Sequence, residues 1–211
     1  MNRFAAISLL VGFTLFAACS HTVVVPVPPR VDLGGYSSIG IVEFDSNSER
    51  ALSARATRQF QEQIQAAQPG TRFIELGERQ ALLAALGAKQ LDAPTLRKIG
   101  QRYGVAAVFL GDIAYSEPRV DLKISDISRM EGGVRAEIRG DLSARLFETA
   151  TGASVWSNSG WARRQLGALS VSEQGVSGGM RNANPREEMV PTLVYEITHD
   201  FRPSSVRQPA R

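Results

Sequence analysis

Residues with the chemistry for catalysis or metal binding are few in this sequence and far apart. The chain contains one cysteine, Cys19, and two histidines, His21 and His199. One cysteine excludes an internal disulfide and any multi-cysteine metal site. His199 lies near the end of the last predicted helix, where the helix dipole favours a histidine; a proton-carrying role is the alternative. These residues therefore predict a protein with no catalytic and no metal-binding site.

The segment 175–179 reads G-x-S-x-G, the pattern of a hydrolase nucleophile elbow with Ser177 as the nucleophile. That elbow needs a strand before it, a helix after it, and a histidine base oriented by an acid. Here polar residues precede the segment, and the only histidine that follows, His199, is adjacent to Asp200, so the two side chains do not face each other on a helix. We therefore interpret residues 167–184, which are rich in Ser and Gly, as a long loop. A hydrolase that uses this loop as a lid is the competing alternative.

Three aspartates, Asp45, Asp112 and Asp121, lie near the ends of predicted strands. In α/β folds, ligands often bind in the crevice beyond the carboxyl ends of the strands. No glycine-rich phosphate loop accompanies these residues, and Asp45 is followed by Ser46 and Asn47, which is typical of a helix cap. Capping or surface roles are therefore favoured over ligand binding.

The first twenty residues have the features of a secretory signal. An apolar run follows Arg3 and extends to residue 18, which is shorter than the roughly 20 residues that a membrane-spanning helix needs. Cys19 comes next, and this order resembles the lipobox of bacterial lipoproteins, with Phe16 where a Leu is usual. The resemblance implies that residues 1–18 are removed, that a diacylglyceryl group is attached to the Cys19 thiol, and that the new amino terminus is acylated. No other cofactor is predicted; an uncleaved anchor and an ordinary signal peptide with an unmodified cysteine are the alternatives.

Lipidation would attach the protein permanently to a membrane, because several acyl chains contribute roughly 0.8 kcal/mol per buried CH₂. Ser20 follows the cysteine, and in the enterobacterial sorting rule a residue other than Asp at this place indicates the outer membrane. Residues 19–35 comprise the lipidated cysteine and a Pro-containing stretch that predicts an extended tether of at most ~50 Å. The predicted location is the periplasmic face of the outer membrane, with the folded part close to the lipid.

The composition is that of an ordinary globular chain of 211 residues, long enough for one domain with a sizeable core. Hydrophobic residues make up 43% and charged residues 21%, close to average usage. The 24 basic and 21 acidic residues give a net charge of +3. This excess is too small to indicate a surface that binds nucleic acid.

The hydrophobic pattern predicts an α/β (α+β) fold with one mixed sheet. Strand and helix patterns occur in the order β-α-β-α-α-β, followed by an antiparallel meander of three strands and a C-terminal helix. The first helix is expected to open at a capping box of Ser46 and Glu49, and the last at Asn184. We assign residues 36–201 to this single domain and residues 202–211 to a disordered polar tail.

Both tryptophans lie on the last predicted strand of the meander. Trp156 and Trp161 differ by an odd number of residues, so a regular strand places them on opposite faces. An exposed Trp161 beside Arg163 and Arg164 would suit contact with a protein partner. Burial in the core or beneath the 167–184 loop is the alternative.

Three segments, taken in order, resemble the curli-secretion-channel lipoproteins and their relatives with the fold of the amino-terminal domain of the Tol-Pal β-propeller protein. They are the strand Ser38–Phe44, the helix-into-strand segment Leu96–Ile113 and the strand-turn-strand segment Leu142–Ser157. The resemblance spans residues 36–200 and carries no catalytic signature. It implies one of two roles, a subunit of an oligomeric outer-membrane channel or a lipoprotein activator of peptidoglycan synthases.

The sequence departs from what either role needs. A channel requires amphipathic hairpins with an apolar face toward lipid, whereas the outward face of residues 119–125 is charged and its apolar face is expected in the domain core. An activator is expected to have a long linker, and the tether here is short. The favoured function is a lipid-anchored, non-catalytic protein-interaction or assembly factor of the bacterial cell envelope. Its expected partners are the membrane, an envelope protein that the sequence does not identify, and further copies of itself.

Overall fold

The computed structural model describes residues 22–126, 131–172, 175–180 and 184–209. The predicted signal segment and Cys19 lie outside these residues, so their processing stays a prediction. The chain divides into two compact units, one formed by Arg30–Arg202 and the other by the segments at the two chain ends. In the part of the chain that the structure describes, no helix is long and apolar enough to cross a membrane.

The described residues form ten strands and four α-helices. The strands are β1 (Thr22–Val27), β2 (Ile39–Glu43), β3 (Asp45–Ser46), β4 (Phe73–Glu78), β5 (Ala107–Tyr115), β6 (Arg119–Asp126), β7 (Glu131–Glu148), β8 (Ser154–Ser172), β9 (Gly175–Met180) and β10 (Ser204–Pro209). The helices are α1 (Arg50–Ala67), α2 (Arg79–Leu86), α3 (Ala93–Tyr103) and α4 (Pro185–Ile197), with a short 3₁₀ helix at His199–Phe201.

The larger unit is built on an eight-stranded mixed sheet, which confirms the predicted fold class. The strand order is β4-β2-β5-β7-β8-β9, with β3 beside β5 and β6 beside β7. Strand β2 is parallel to β4 and β5, because helical connections join these three strands. From β5 onward the neighbours are antiparallel. The meander is therefore present, and β9 extends it beyond the three strands that were predicted.

Side-chain caps determine where two of the helices begin. The Asp92 carboxylate accepts a hydrogen bond from the Thr95 backbone N–H at 3.0 Å at the start of α3, and hydrogen bonding by Thr95 lowers the pKa of this carboxyl. Asn184 caps α4 in the same way, as its sequence position predicts. The capping box predicted at Ser46 is wrong, because Ser46 belongs to β3 and α1 begins after Glu49, whose side chain makes no cap hydrogen bond.

Apolar side chains pack on both faces of the sheet. On one face, α1 and α4 cover a core that contains an aromatic cluster with ring centroids 4.7–6.5 Å apart, formed by Phe60, Phe109, Trp156 and Phe201. On the other face, α2 and α3 cover a smaller core built around Val42, Val108 and Leu110. Helices α2 and α3 lie mainly over β2 and β5, with Leu76 of β4 and Phe147 at the end of β7 packed at the edge of this core. Farther along β7 and β8, Arg139 and Trp161 on this second face are exposed.

Asp200 connects the aromatic cluster to the chain that enters the domain. Its Oδ2 accepts a hydrogen bond from Trp156 Nε1 at 3.1 Å, and its Oδ1 lies 3.1 Å from the Arg30 guanidinium. Asp200 and Trp156 are both buried, whereas the Arg30 side chain is 80% exposed. The exposed ion pair is screened by water and contributes little, so the buried bond from Trp156 dominates the contribution of this carboxylate.

Asp200→Ala is expected to lower the free energy of unfolding by about 2 kcal/mol, because the buried Trp156 N–H loses its acceptor. Asp200→Asn keeps a side-chain oxygen at the same place and should lose less than half as much. The urea midpoint of unfolding for the two variants and the parent measures this difference. Equal losses for both variants would assign the effect to charge and contradict the assignment to the Trp156 bond.

Residues 167–172 and 175–180 form strands instead of the predicted loop over 167–184. Strand β8 continues through this region to Ser172, and β9 folds back on it in an antiparallel pair. Gly178 has φ of +123° and a Cβ there would lie 2.0 Å from the Ala168 carbonyl oxygen, so the close pairing requires glycine. Backbone pairing with β7 and β9 organises a segment in which side-chain periodicity is weak.

The smaller unit corrects two further predictions. Strand β1 pairs antiparallel with β10, from Val27↔Ser204 to Thr22↔Pro209. This pairing replaces the extended tether over residues 22–27 and the disorder predicted for residues 204–209. Three consecutive valines give β1 a high strand propensity, which the prediction gave less weight than the flanking prolines.

Candidate interaction surface

Trp161 stands on the open face of β8, on the side of the sheet away from α4. It is 56% exposed, whereas Trp156 is 7% exposed and belongs to the aromatic cluster. The prediction that an odd spacing separates the two tryptophans onto opposite faces is therefore confirmed. A large aromatic side chain in this position offers apolar area to a partner with little conformational freedom to lose.

Two arginines contact the Trp161 ring. The guanidinium carbons of Arg139 and Arg163 lie 5.1 and 5.2 Å from the ring centroid, within the range of cation–π attraction. Arg139 and Arg163 are direct partners in the β7–β8 register. Like charges placed directly opposite each other on a sheet repel, so a nearby negative charge would stabilise this pair of arginines.

One carboxylate, that of Asp141, neutralises one of the two arginines. Asp141, the register partner of Trp161, accepts hydrogen bonds from Arg139 Nε at 3.0 Å and from its terminal nitrogen at 2.5 Å. This hydrogen bonding raises the pKa of the Arg139 guanidinium. Among the described residues, no carboxylate pairs with Arg163. Trp161, Arg139, Arg163 and Asp141 together are called the Trp161 surface below, and its unpaired positive charge is that of Arg163.

Arg164 does not belong to the Trp161 surface, although it was predicted with Trp161 and Arg163. Consecutive side chains of a strand point to opposite faces, and Arg164 faces α4. Its Nε lies 3.4 Å from a carboxylate oxygen of Glu188, and a terminal nitrogen reaches the Glu188 carbonyl at 3.4 Å. Arg139, which the sequence reasoning missed, takes the place of Arg164. Only the β7–β8 register could have brought it to Trp161.

A cavity of about 290 Å³ adjoins the Trp161 surface. Its lining includes Arg139 and Arg163 together with Arg119, Asp121 and Glu137. The cavity is therefore lined by charges of both signs. It extends the area over which polar groups of a partner could form hydrogen bonds and ion pairs with this protein. The aromatic ring at its edge remains the apolar part of the surface.

Two of the three aspartates predicted at strand ends, Asp45 and Asp112, form a structural ion-pair cluster. Arg79, the first residue of α2, lies 2.7 Å from an oxygen of Asp45 and 3.1 Å from an oxygen of Asp112, and it donates to the Gly111 carbonyl. One guanidinium thus joins α2 to β3 and β5. Asp121, the third of these aspartates, lies apart from them on β6.

The hydrolase motif does not form an elbow. Ser177 lies inside β9, where its register partner is Ser170 of β8, so the strand-turn-helix context that exposes a nucleophile is replaced by a hairpin. In the 3₁₀ helix after α4, His199 Nδ1 donates to the Glu196 carbonyl at 2.7 Å. Its Nε2 lies 3.2 Å from a carboxylate oxygen of Asp200, so the expectation that these two side chains do not face each other is wrong. Among the described residues, no group of three or more His, Cys, Asp or Glu side chains could hold a metal ion.

No protein-family model and no curated protein sequence matches the chain. Solved structures of similar fold include a PelC dodecamer from Paraburkholderia phytofirmans, at 15% identity and a TM-score of 0.38, covering 86% of this chain and 98% of that one. The lipoprotein GNA1162 from Neisseria meningitidis is similar at 16% identity and a TM-score of 0.39, covering 76% of this chain and 97% of that one. The C-terminal domain of LpoB from Salmonella enterica is similar at 14% identity and a TM-score of 0.34, covering 63% of this chain and 87% of that one.

Proposed function

We propose that this protein is a lipid-anchored, non-catalytic factor of the bacterial cell envelope that binds another protein through the Trp161 surface. The observation that carries the proposal is a half-exposed tryptophan held between two arginines, one of which pairs with no carboxylate in the described residues. Tryptophan and arginine are the residue types most enriched where truncation weakens a protein interface. The location, at the periplasmic face of the outer membrane, follows from the lipobox-like order around Cys19 and from Ser20.

The chemistry of the Trp161 surface specifies the kind of partner. The Arg163 guanidinium is suited to pair with a negatively charged group, and the exposed indole of Trp161 is suited to pack against an apolar group. A partner that presents a carboxylate beside an aliphatic or aromatic side chain satisfies both. Arg139 is already held by Asp141, so it fixes the ring position and its charge is offset.

Trp161→Ala is expected to reduce partner binding by about 30-fold or more, the loss typical of an interface hot spot of at least 2 kcal/mol. The measurement is site-specific cross-linking of the full chain in native membranes, followed by titration of the captured protein in purified form. Tyr195→Ala is a matched control, because Tyr195 is also an exposed aromatic residue (59%) and carries Arg202 over its ring at 3.7 Å. Unchanged affinity of Trp161→Ala with an intact fold would rule out the Trp161 surface as the binding site.

Two narrower roles remain alternatives within this proposal. An activator of a peptidoglycan synthase would use the Trp161 surface as described, with the synthase as its partner. For a curli-like channel subunit, the structure corrects one expectation, because the apolar side of β6 is exposed instead of lying in the domain core. However, the described parts of β6 and β9 have eight and six residues, whereas a strand that crosses a bilayer needs about 9–11. The channel role is therefore the less supported of the two.

A further inference from the structure

The end of the meander forms a four-stranded antiparallel sheet, called the ribbon below, composed of β6, residues 131–137 of β7, residues 165–172 of β8, and β9. The register aligns apolar residues into rows across its strands. Leu122 pairs with Val134, which pairs in turn with Leu169. Val120 pairs with Ala136 in the adjacent row. One face of the ribbon is thus apolar over at least three strands.

This apolar face is open to solvent. Val120 is 65% exposed, Leu122 68% and Leu169 47%. Single exposed apolar side chains are ordinary on a protein surface, but a contiguous group of them indicates a binding surface. The alternate positions of β6 are charged, with Arg119, Asp121 and Lys123 on the other face. The ribbon is therefore amphipathic, with one face suited to water and the other to burial.

The same face of the same strands is covered farther along. Ile138, Leu142 and Leu146 of β7 are buried in the core beneath α1 and α4. None of the described helices covers the rows of Leu122 and Val120, which remain exposed. An antiparallel sheet with one polar and one apolar face is stable when a second layer packs on the apolar side. The ribbon is half of such a two-layer arrangement.

We infer that the second layer is the ribbon of a second copy of this chain, packed face to face. The occupant must be flat, apolar and about as wide as four strands, and the ribbon itself has this shape. A two-fold axis would place the same rows against each other and leave both charged faces in water. Two sheets packed in this way would lie about 10 Å apart, as in a β-sandwich.

The size of the ribbon predicts a weak dimer. Four strands about 4.8 Å apart and seven residues at about 3.4 Å each give a face of roughly 450 Å² per copy, or roughly 900 Å² in the pair. Stable interfaces usually bury about 1,200–2,000 Å², so the dimer should be transient in dilute solution. Confinement of both copies to one membrane raises their effective concentration. This last step rests on the lipid anchor of the proposed function, whereas the ribbon contact itself does not.

Cysteine cross-linking of the full chain in native membranes tests the inference. Leu122→Cys, treated with a short bis-maleimide, is expected to give a product of twice the protein mass at least fivefold above Lys123→Cys. Lys123 is a matched control because it is the next residue of β6, is also exposed, and lies on the opposite face. The parent chain, with Cys19 alone, sets the baseline, and co-expression of two tagged forms verifies that the product contains two copies.

Val120→Cys provides a second cross-linking position in case Leu122→Cys folds poorly, and adding Leu122→Asp to it should abolish the cross-linked dimer. Equal cross-linking at positions 122 and 123, or a product that contains a different protein, would overturn the inference. A third measurement attaches a fluorophore at position 122 and adds the protein to phosphatidylethanolamine vesicles that contain nitroxide-labelled lipid. If the protein is monomeric and the nitroxides quench the fluorophore, the apolar face binds lipid and the inference is overturned. A chain that carries both Cys19→Ala and Leu122→Cys should still form the cross-linked dimer at high concentration. This control distinguishes an error in the proposed lipid anchor from an error in the ribbon contact.

Discussion

Replacing Phe109 with alanine is expected to lower the free energy of unfolding by about 3–5 kcal/mol. Phe109 of β5 is fully buried, and its ring contacts Phe60, Trp156 and Phe201 with centroids 5.1, 5.9 and 5.8 Å away. Truncation removes the apolar area of the ring and leaves a cavity that these large neighbours cannot fill by small movements. Since domains of this size are stable by about 5–15 kcal/mol, the loss is a large fraction of the total.

Urea unfolding followed by tryptophan fluorescence measures the Phe109→Ala effect, because Trp156 lies in the same cluster. Phe109→Leu, which keeps most of the apolar volume, should lose less than half as much. Val155→Ala, at an exposed position of β8, should change stability by less than about 0.5 kcal/mol. A Phe109→Ala loss no larger than that of Val155→Ala would contradict the role assigned to the aromatic cluster.

Cys19→Ala is expected to move the protein from the membrane fraction to the soluble fraction. In the proposed mature protein, the acyl chains on Cys19 supply the attachment to the membrane. Without the thiol, no diacylglyceryl group can be attached. Cell fractionation together with intact mass spectrometry of the extracted protein measures both location and modification.

Ser20→Ala is the matched control for the anchor, because it changes the next residue without removing the thiol, and it should stay in the membrane fraction. The parent protein is expected to yield an amino-terminal Cys19 peptide that carries acyl mass. An unmodified Cys19, or a mature chain that retains residues 1–18, would exclude the lipoprotein assignment. In that case the fold and the Trp161 surface would be unchanged, but the protein would act at a location other than the outer membrane.

Local signals in the sequence were sufficient for most element types. Asp92 and Asn184 identified two helix starts because their side chains cap the backbone directly. Alternating residues identified the meander, and the odd spacing of Trp156 and Trp161 predicted which tryptophan would be exposed. In each case the information lies within a few residues of the element concerned.

The sequence was insufficient where pairing between distant segments decides the outcome. Ser46 has the pattern of a helix cap, yet β3 pairs it with Ile113 in β5. Residues 167–184 show no clear period, and strand pairing organises most of them. Arg139 reaches Trp161 only through the register of β7 and β8, and the same register excludes Arg164 from that surface. Strand register depends on contacts far apart in sequence, which local patterns do not encode.

The continuity of β7 and β8 from the core into the ribbon has a consequence for how this protein can evolve. A slip of one residue in β7 would turn Ile138, Leu142 and Leu146 out of the core, so the buried half of this strand fixes the register of its exposed half. Substitutions in the ribbon therefore change what the surface binds without changing which side chains face outward. Selection can diversify partner specificity in the ribbon, at the open end of the β7–β8 pair, while the core preserves the fold. Lineages that share this architecture can then acquire different assemblies from one inherited scaffold.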